Sequence, residues 1–240
     1  MPIVHPLAVP PAEGALLVPL HGRPQNLTTL VYEAIRDAII SKALVPSQRL
    51  SEAALAAQLQ VSKTPVREAL LRLQSIGLVT ADDARGVRVV EPSPARIREA
   101  YEVRAAHEAL AAQLAAQRAD AEAQDRLARA ADKSHDRAAH GDTAGFREWD
   151  FVFHHEVAGA AGNELLSALV NNSFVLTWAL RRRDVPIADD AVECSLQHVR
   201  IADAIRAGDG MGAASEMTAH IEQVKNIVLA AIDPAAKRAS

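Results

Sequence analysis

The stretch Ser51-Glu52-Ala53-Ala54-Leu55-Ala56-Ala57-Gln58-Leu59-Gln60-Val61-Ser62-Lys63-Thr64-Pro65-Val66-Arg67-Glu68-Ala69-Leu70 decides the fold. Its apolar residues recur at helical spacing in two blocks, Glu52 to Leu59 and Lys63 to about Ile76, with a short turn between them. A short helix, a tight turn around a buried aliphatic (Val61) and a second helix make a helix-turn-helix. The second helix of such a pair enters the major groove by its N-terminal end, which must offer polar and basic side chains. Ser62, Lys63, Thr64 and Arg67 stand there. Pro65 is harmless in the first turn, where amides have no helical acceptor. Those free amides and the positive helix end also favour a phosphate. Leu70, Leu71 and Leu73 are expected to pack the helix back onto its domain. The competing reading is a surface helix whose charges are merely solvated.

Upstream, Leu27 to Lys42 carries a stripe of Leu30, Val31, Ala34, Ile35, Ala38 and Ile39, which predicts another helix. Asn26 or Thr28 is placed to cap it, and Ser51 to cap the next. Downstream, Gly77 is expected to end the second helix of the pair in a left-handed conformation. Leu78-Val79-Thr80 and Val87-Arg88-Val89-Val90 then read as two strands around a polar turn, with Arg85, Gly86 and Arg88 forming a positive wing. Pro92 and Pro94 mark a boundary, and no further proline occurs before Pro186. That region predicts six long helices, at about 94–119, 121–140, 143–160, 163–183, 189–208 and 210–232, with breaks at Gly141, Gly162 and Gly208 and caps at Asp142 and Asn163. The expected class is therefore mainly α: a winged helix-turn-helix over 27–92 and an antiparallel all-α bundle over 93–240. The proline-rich stretch 1–26 reads as a disordered arm, lacking the charged start and apolar core of a signal peptide.

Composition agrees. Aromatics are only 3% while alanine abounds, which suits closely packed helices better than sheets. A single cysteine, Cys194, cannot form an internal disulfide and fits a reducing cytoplasm. No apolar run reaches the ~18 residues a membrane helix needs, so no membrane partner is expected. The net charge of −4 does not favour nucleic acid. Residues 27–92, however, carry 8 Lys/Arg against 7 Asp/Glu, so DNA binding has to depend on where the charges sit.

A second constellation lies in the C-terminal half. Asp150 and His154 are four apart and share a helix face, a spacing at which two side chains converge on one metal ion. His198 and His220 each fall inside a predicted amphipathic helix. Singly, each histidine is more simply a partly buried polar residue. If their helices surround one cavity, the four make a one-carboxylate, three-imidazole site. His155 cannot share the face of His154, and His107, His135 and His140 lack matching partners.

The N-terminal motif resembles the GntR family of bacterial regulators. The matching residues are Leu50-Ser51-Glu52, Leu55-Ala56, Leu59, Val61-Ser62-Lys63-Thr64-Pro65-Val66-Arg67-Glu68-Ala69-Leu70, Leu73 and Gly77-Leu78-Val79. The resemblance implies DNA contacts by Ser62, Lys63, Thr64, Arg67 and Gly86, with Arg49 against the backbone. Three positions depart from the family pattern. Lys63 replaces an arginine and loses bidentate guanine recognition; Ala53 stands where an arginine is common; Gln60 replaces the turn glycine.

The C-terminal half resembles the FCD effector domain of the FadR subfamily, in its six-helix VanR-like branch. Glu102-Val103-Arg104, Gly162-Asn163-Glu164-Leu165-Leu166 and Ala204-Ile205-Arg206-Ala207-Gly208-Asp209 match, and Asp150, His154, His198 and His220 match its order of ligands. This resemblance implies a divalent metal, zinc by expectation with nickel or another transition metal compatible. It also implies a small organic acid effector, paired with Arg104. It implies a homodimer on double-stranded, pseudo-palindromic operator DNA, released by the effector. Arg104 is otherwise an ordinary surface or intersubunit salt bridge, and Arg181-Arg182-Arg183 reads as a solvated helix end. The alternative from another class is a metal-dependent hydrolase with a DNA-binding appendage; against it stands the lack of a clear general base beside the set, with Glu156 and Glu216 left as candidates.

Overall fold

The computed structural model describes residues 26–82, 86–181 and 188–232. The expected N-terminal arm, Arg85 in the wing, and Arg182 and Arg183 lie outside the described residues. The elements run α1 (Asn26–Ile40), β1 (Arg49–Leu50), α2 (Glu52–Leu59), α3 (Lys63–Ser75), β2 (Val79–Asp82), β3 (Gly86–Val89), α4 (Pro94–Arg118), α5 (Ala121–Ala139), α6 (Thr143–Ala160), α7 (Glu164–Leu180), α8 (Ala188–Arg206) and α9 (Gly210–Ile232). This is a winged helix-turn-helix followed by a six-helix bundle.

Val31, Ile35 and Ile39 line one face of α1 and join Val66, Leu70 and Leu73 of α3 in the first core. Two expected core residues face out instead: Leu30 is 53% exposed and Leu71 60% exposed. The turn of the pair forms at Gln60, whose φ of 54° is left-handed. Without glycine that conformation costs about 1 kcal/mol, and the bond from Val61 N to Ala56 O at 3.0 Å helps to hold it. Ser51 occupies the cap position of α2 but its side chain makes no cap bond. Thr28 does not cap α1 either; its hydroxyl donates to Glu68 at 2.8 Å, tying α1 to α3. Gly77 closes α3 with φ 82° as expected. The wing is a three-stranded antiparallel sheet of order β1-β3-β2, with Arg49 opposite Arg88 and Thr80 on the other side of Arg88. Strand β1 was not foreseen, since two residues show no alternation.

The bundle is built around α4. Ala111, Ala112 and Ala115 are fully buried there, and such small side chains let the neighbouring α9, α7 and α6 approach closely. Asp142 and Asn163 cap α6 and α7 as expected, accepting from Gly145 N and Leu166 N. Ser93 and Asp120 do the same for α4 and α5. Each cap contributes about 1 kcal/mol. The two parts touch at the end of α7. There Lys42 Nζ donates to the Ala179 carbonyl, and Gly77 faces Leu176. Among the described residues no helix is long and apolar enough to cross a membrane.

Candidate metal centre and nucleic-acid interface

Helix α6 supplies Asp150 and His154, α8 supplies His198 and α9 supplies His220. All four are buried, and one ligand atom from each lies within 4.8 Å of all the others. Asp150 Oδ1 is 3.6 Å from His154 Nε2 and 3.5 Å from His198 Nε2. The Nε2 atoms of His154 and His220 are 3.3 Å apart. The four residues singled out by spacing and resemblance therefore meet at one point.

The far side of each imidazole is held by a residue that the sequence reading missed. His154 Nδ1 donates to Glu108 Oε2. His220 Nδ1 donates to Gln197 Oε1 at 2.8 Å, and Gln197 Nε2 in turn donates to Gln223 at 2.6 Å. Ser134 Oγ lies 3.0 Å from His198 Nδ1. Such partners fix the tautomer and aim the other nitrogen inward. With protons on Nδ1 of His154 and His220, their Nε2 lone pairs face each other across 3.3 Å, an arrangement that repels unless a cation lies between. His198 Nε2 is buried with no hydrogen-bond partner. Zinc–nitrogen bonds of about 2.0–2.1 Å in a tetrahedron separate ligand atoms by roughly 3.3 Å, close to the spacings found here. The donor set fits a divalent transition-metal ion.

Burial disfavours the charged form of His154, but Glu108 and Asp150 outweigh it and raise the pKa of that ring, so an ion has to displace its proton; the other three ligands are set for binding. Burial pushes His220 well below its ordinary pKa and lowers His198, keeping both rings neutral and able to ligate. Burial would raise Asp150, but the adjoining imidazoles of His154 and His198 outweigh it and hold the carboxyl well below the usual range. Burial opposes Glu108 ionisation too, yet Arg104 and His154 bring its pKa down to about 2. Phe153 stacks on His198 with centroids 4.4 Å apart and helps to fix that ring.

Arg104 is 1% exposed, so its salt bridge is internal rather than on the surface. Its Nε donates to Glu108 Oε1 at 2.5 Å, its Nη1 to Thr177 at 3.3 Å, and its guanidinium carbon sits 4.3 Å from the Phe174 ring centroid. Nη2 is buried without a partner. The carboxylates considered as a hydrolytic base are engaged elsewhere: Glu156 pairs with Arg126 and Glu216 with Arg200. Arg181 departs from the solvated role expected of it. Helix α7 stops at Leu180, and Arg181 Nε donates to the Tyr101 hydroxyl at 2.9 Å.

At the other end of the chain, Arg49, Lys63, Arg67 and Gly86 line one open cleft of about 880 Å³ together with Glu52 and Leu71. Ser62 and Thr64 are exposed at the start of α3 beside it. Arg67 pairs with Glu52 at 3.0 Å, with both side chains partly in solvent. Arg49 and Arg88 each reach Asp82 at 3.3 Å. The Ser62 hydroxyl makes no cap bond to its own helix. A Cβ on Gly86 would come within 3.2 Å of the Leu50 carbonyl, so a larger residue would crowd the strand pair.

A winged reader with a polar, basic first turn, joined to a helical bundle around a buried ligand cluster, defines a DNA-binding regulator that responds to a small molecule. Comparison with known proteins gives the family. Residues 27–89 match the model of bacterial regulatory proteins of the gntR family, and residues 99–223 match the FCD domain. The chain belongs to the GntR family of transcription regulators, with an FCD domain. It is 32% identical over 200 residues to the "Probable D-xylose utilization operon transcriptional repressor" of Paenarthrobacter nicotinovorans, covering 80% of this chain and 86% of that protein. With an HTH-type transcriptional regulator of Agrobacterium vitis the likeness is 44% over 81 residues, 34% of this chain and 47% of the other. The fold is also that of Escherichia coli McbR/YncC, with a TM-score of 0.73 at 22% identity over 86% of this chain and 99% of that one. These relatives are regulators, not enzymes, and the hydrolase alternative finds no support.

Proposed function

We propose that this chain is a cytoplasmic repressor, released from its operator by a small carboxylate effector bound beside a metal ion. Its parts are an N-terminal arm (1–26), a reader (27–92) and an effector domain (93–240). Ser62, Lys63, Thr64 and Arg67 read or position the duplex from α3, and Gly86 and Arg49 do so from the wing. Two copies of the chain take the half-sites of a pseudo-palindromic operator. Asp150, His154, His198 and His220 hold the ion, zinc first and nickel or another transition metal next. When bound, the ion supplies a Lewis-acidic position for an anionic oxygen. Arg104, braced by Glu108, adds positive charge nearby.

The observation that carries this reading is the convergence of four buried ligand atoms from three helices within 4.8 Å. An effector relieves repression only by binding one conformation better, and a large shift takes about 5 kcal/mol of differential affinity. The test is a band-shift assay with metal-loaded protein and the DNA upstream of its own gene. A retarded band that a small organic acid dissolves is the expected result. Failure to bind that DNA specifically, or a complex indifferent to every acid in a broad panel, contradicts the proposal.

A further inference from the structure

Arg181 directly follows α7. The Tyr101 phenol, a neutral group, accepts its Nε–H. Asp150 acts on it through space, but among the described residues no acidic oxygen reaches ion-pair distance. The same side chain lines a small cavity with Asp150, next to the ligand cluster. The rest of that cavity is almost wholly apolar, with walls of Phe146, Val224, Ile227 and Val228.

The charges around the cluster leave an imbalance. Among the described residues Asp150 and Glu108 offset Arg104 and Arg181, so the charge of a divalent ion held by three neutral imidazoles would stay uncompensated. A buried site of that kind calls for an anion. The Arg181 guanidinium can donate to a carboxylate, and an ion held by Asp150, His154, His198 and His220 would add a second positive charge to attract it. The walls set the rest of the molecule. Hydroxyl groups placed against Val224, Ile227 and Val228 would lose their water without gaining partners.

We propose that Arg181 anchors the effector's carboxylate, exchanging the Tyr101 hydroxyl for it, and that the effector is an aliphatic or aromatic acid rather than a polyhydroxylated sugar acid. This rests on the effector reading above. It adds the anchor and the chemistry of the ligand's body. The cavity now has room for about one water molecule, so a ligand must push α9 away from α6 and the end of α7 as it enters.

The full-length protein is loaded with Co²⁺ and titrated with hexanoate and with gluconate, two six-carbon acids that differ in their hydroxyl groups. The cobalt absorption spectrum and calorimetry report binding. Hexanoate should bind at least about tenfold tighter than gluconate, and Arg181→Gln should weaken hexanoate by about tenfold or more, the worth of a charge-assisted bond. Cobalt stoichiometry should stay unchanged. Arg181→Lys should fall between the two, and Ile227→Gln should narrow the preference for hexanoate. Wild-type hexanoate affinity in Arg181→Gln overturns the anchor. Gluconate binding as tightly as hexanoate overturns the apolar body. If neither acid perturbs cobalt in the unmodified protein, the effector reading itself falls, along with what is built on it.

Discussion

Replacing Glu108 with glutamine separates the two tasks of the buried Arg104–Glu108–His154 chain. Glu108 accepts from Arg104 on one oxygen and from His154 on the other, and all three side chains are about 1% exposed. Glutamine keeps the shape but removes the charge. It also presents an NH₂ group to one of two donors, so one contact becomes donor against donor. Toward the metal, loss of such an orienting partner costs about 10–100-fold in affinity, or roughly 1.4–2.7 kcal/mol. Toward folding, Arg104 becomes a buried cation without a counter-charge, and breaking such a pair costs about 3–5 kcal/mol. Competition with a chromogenic chelator measures the first effect. Urea unfolding of the metal-free protein measures the second. Removing both charges with Arg104→Met and Glu108→Leu should recover most of the stability but not the metal affinity. A Glu108→Gln protein with wild-type metal affinity and unfolding midpoint would refute the reasoning.

Further outcomes follow from the same geometry. Arg67→Ala should weaken operator binding about tenfold or more by fluorescence anisotropy, while stability barely moves because its pair with Glu52 is exposed; unchanged affinity would exclude Arg67 as a reader. Lys42→Met removes the ammonium that meets the last turn of α7 two residues before Arg181. Acid binding should persist while the acid's effect on DNA affinity shrinks, and an undiminished effect would place the coupling elsewhere. Cys194 is buried, and burial pushes its thiol up to about 12, so the thiolate is scarce at pH 8. A disulfide reagent should label it slowly in the folded protein and rapidly in urea; fast labelling of the native state would contradict the packing.

The helix-turn-helix was readable because its signals are local: helical periodicity, Pro65 in a first turn, and a glycine where α3 must reverse. The pair Asp150 and His154 was readable for the same reason, since four residues make about one helical turn. Their meeting with His198 and His220 was not readable from spacing alone, because it depends on how three helices pack; the family resemblance supplied it. Glu108, Ser134 and Gln197 were missed because nothing in their neighbourhood marks them, although Glu108 stands four residues after Arg104 on the same face. Arg181 was misjudged through its company in a basic run. The helix ends at Leu180, and Arg181 itself is extended and sends its side chain to Tyr101. Leu30 and Leu71 show the reverse error, in which an apolar residue within a periodic stripe ends at the surface.

Elemental analysis of the purified protein beside its His198→Ala variant bears on the ligand cluster without any assumption about effector or operator. One divalent transition-metal ion per chain is expected in the parent, falling to a small fraction in the variant with the helical circular dichroism retained. A parent that binds no such ion even after reconstitution, or a variant that keeps full occupancy, would contradict a centre built from Asp150, His154, His198 and His220.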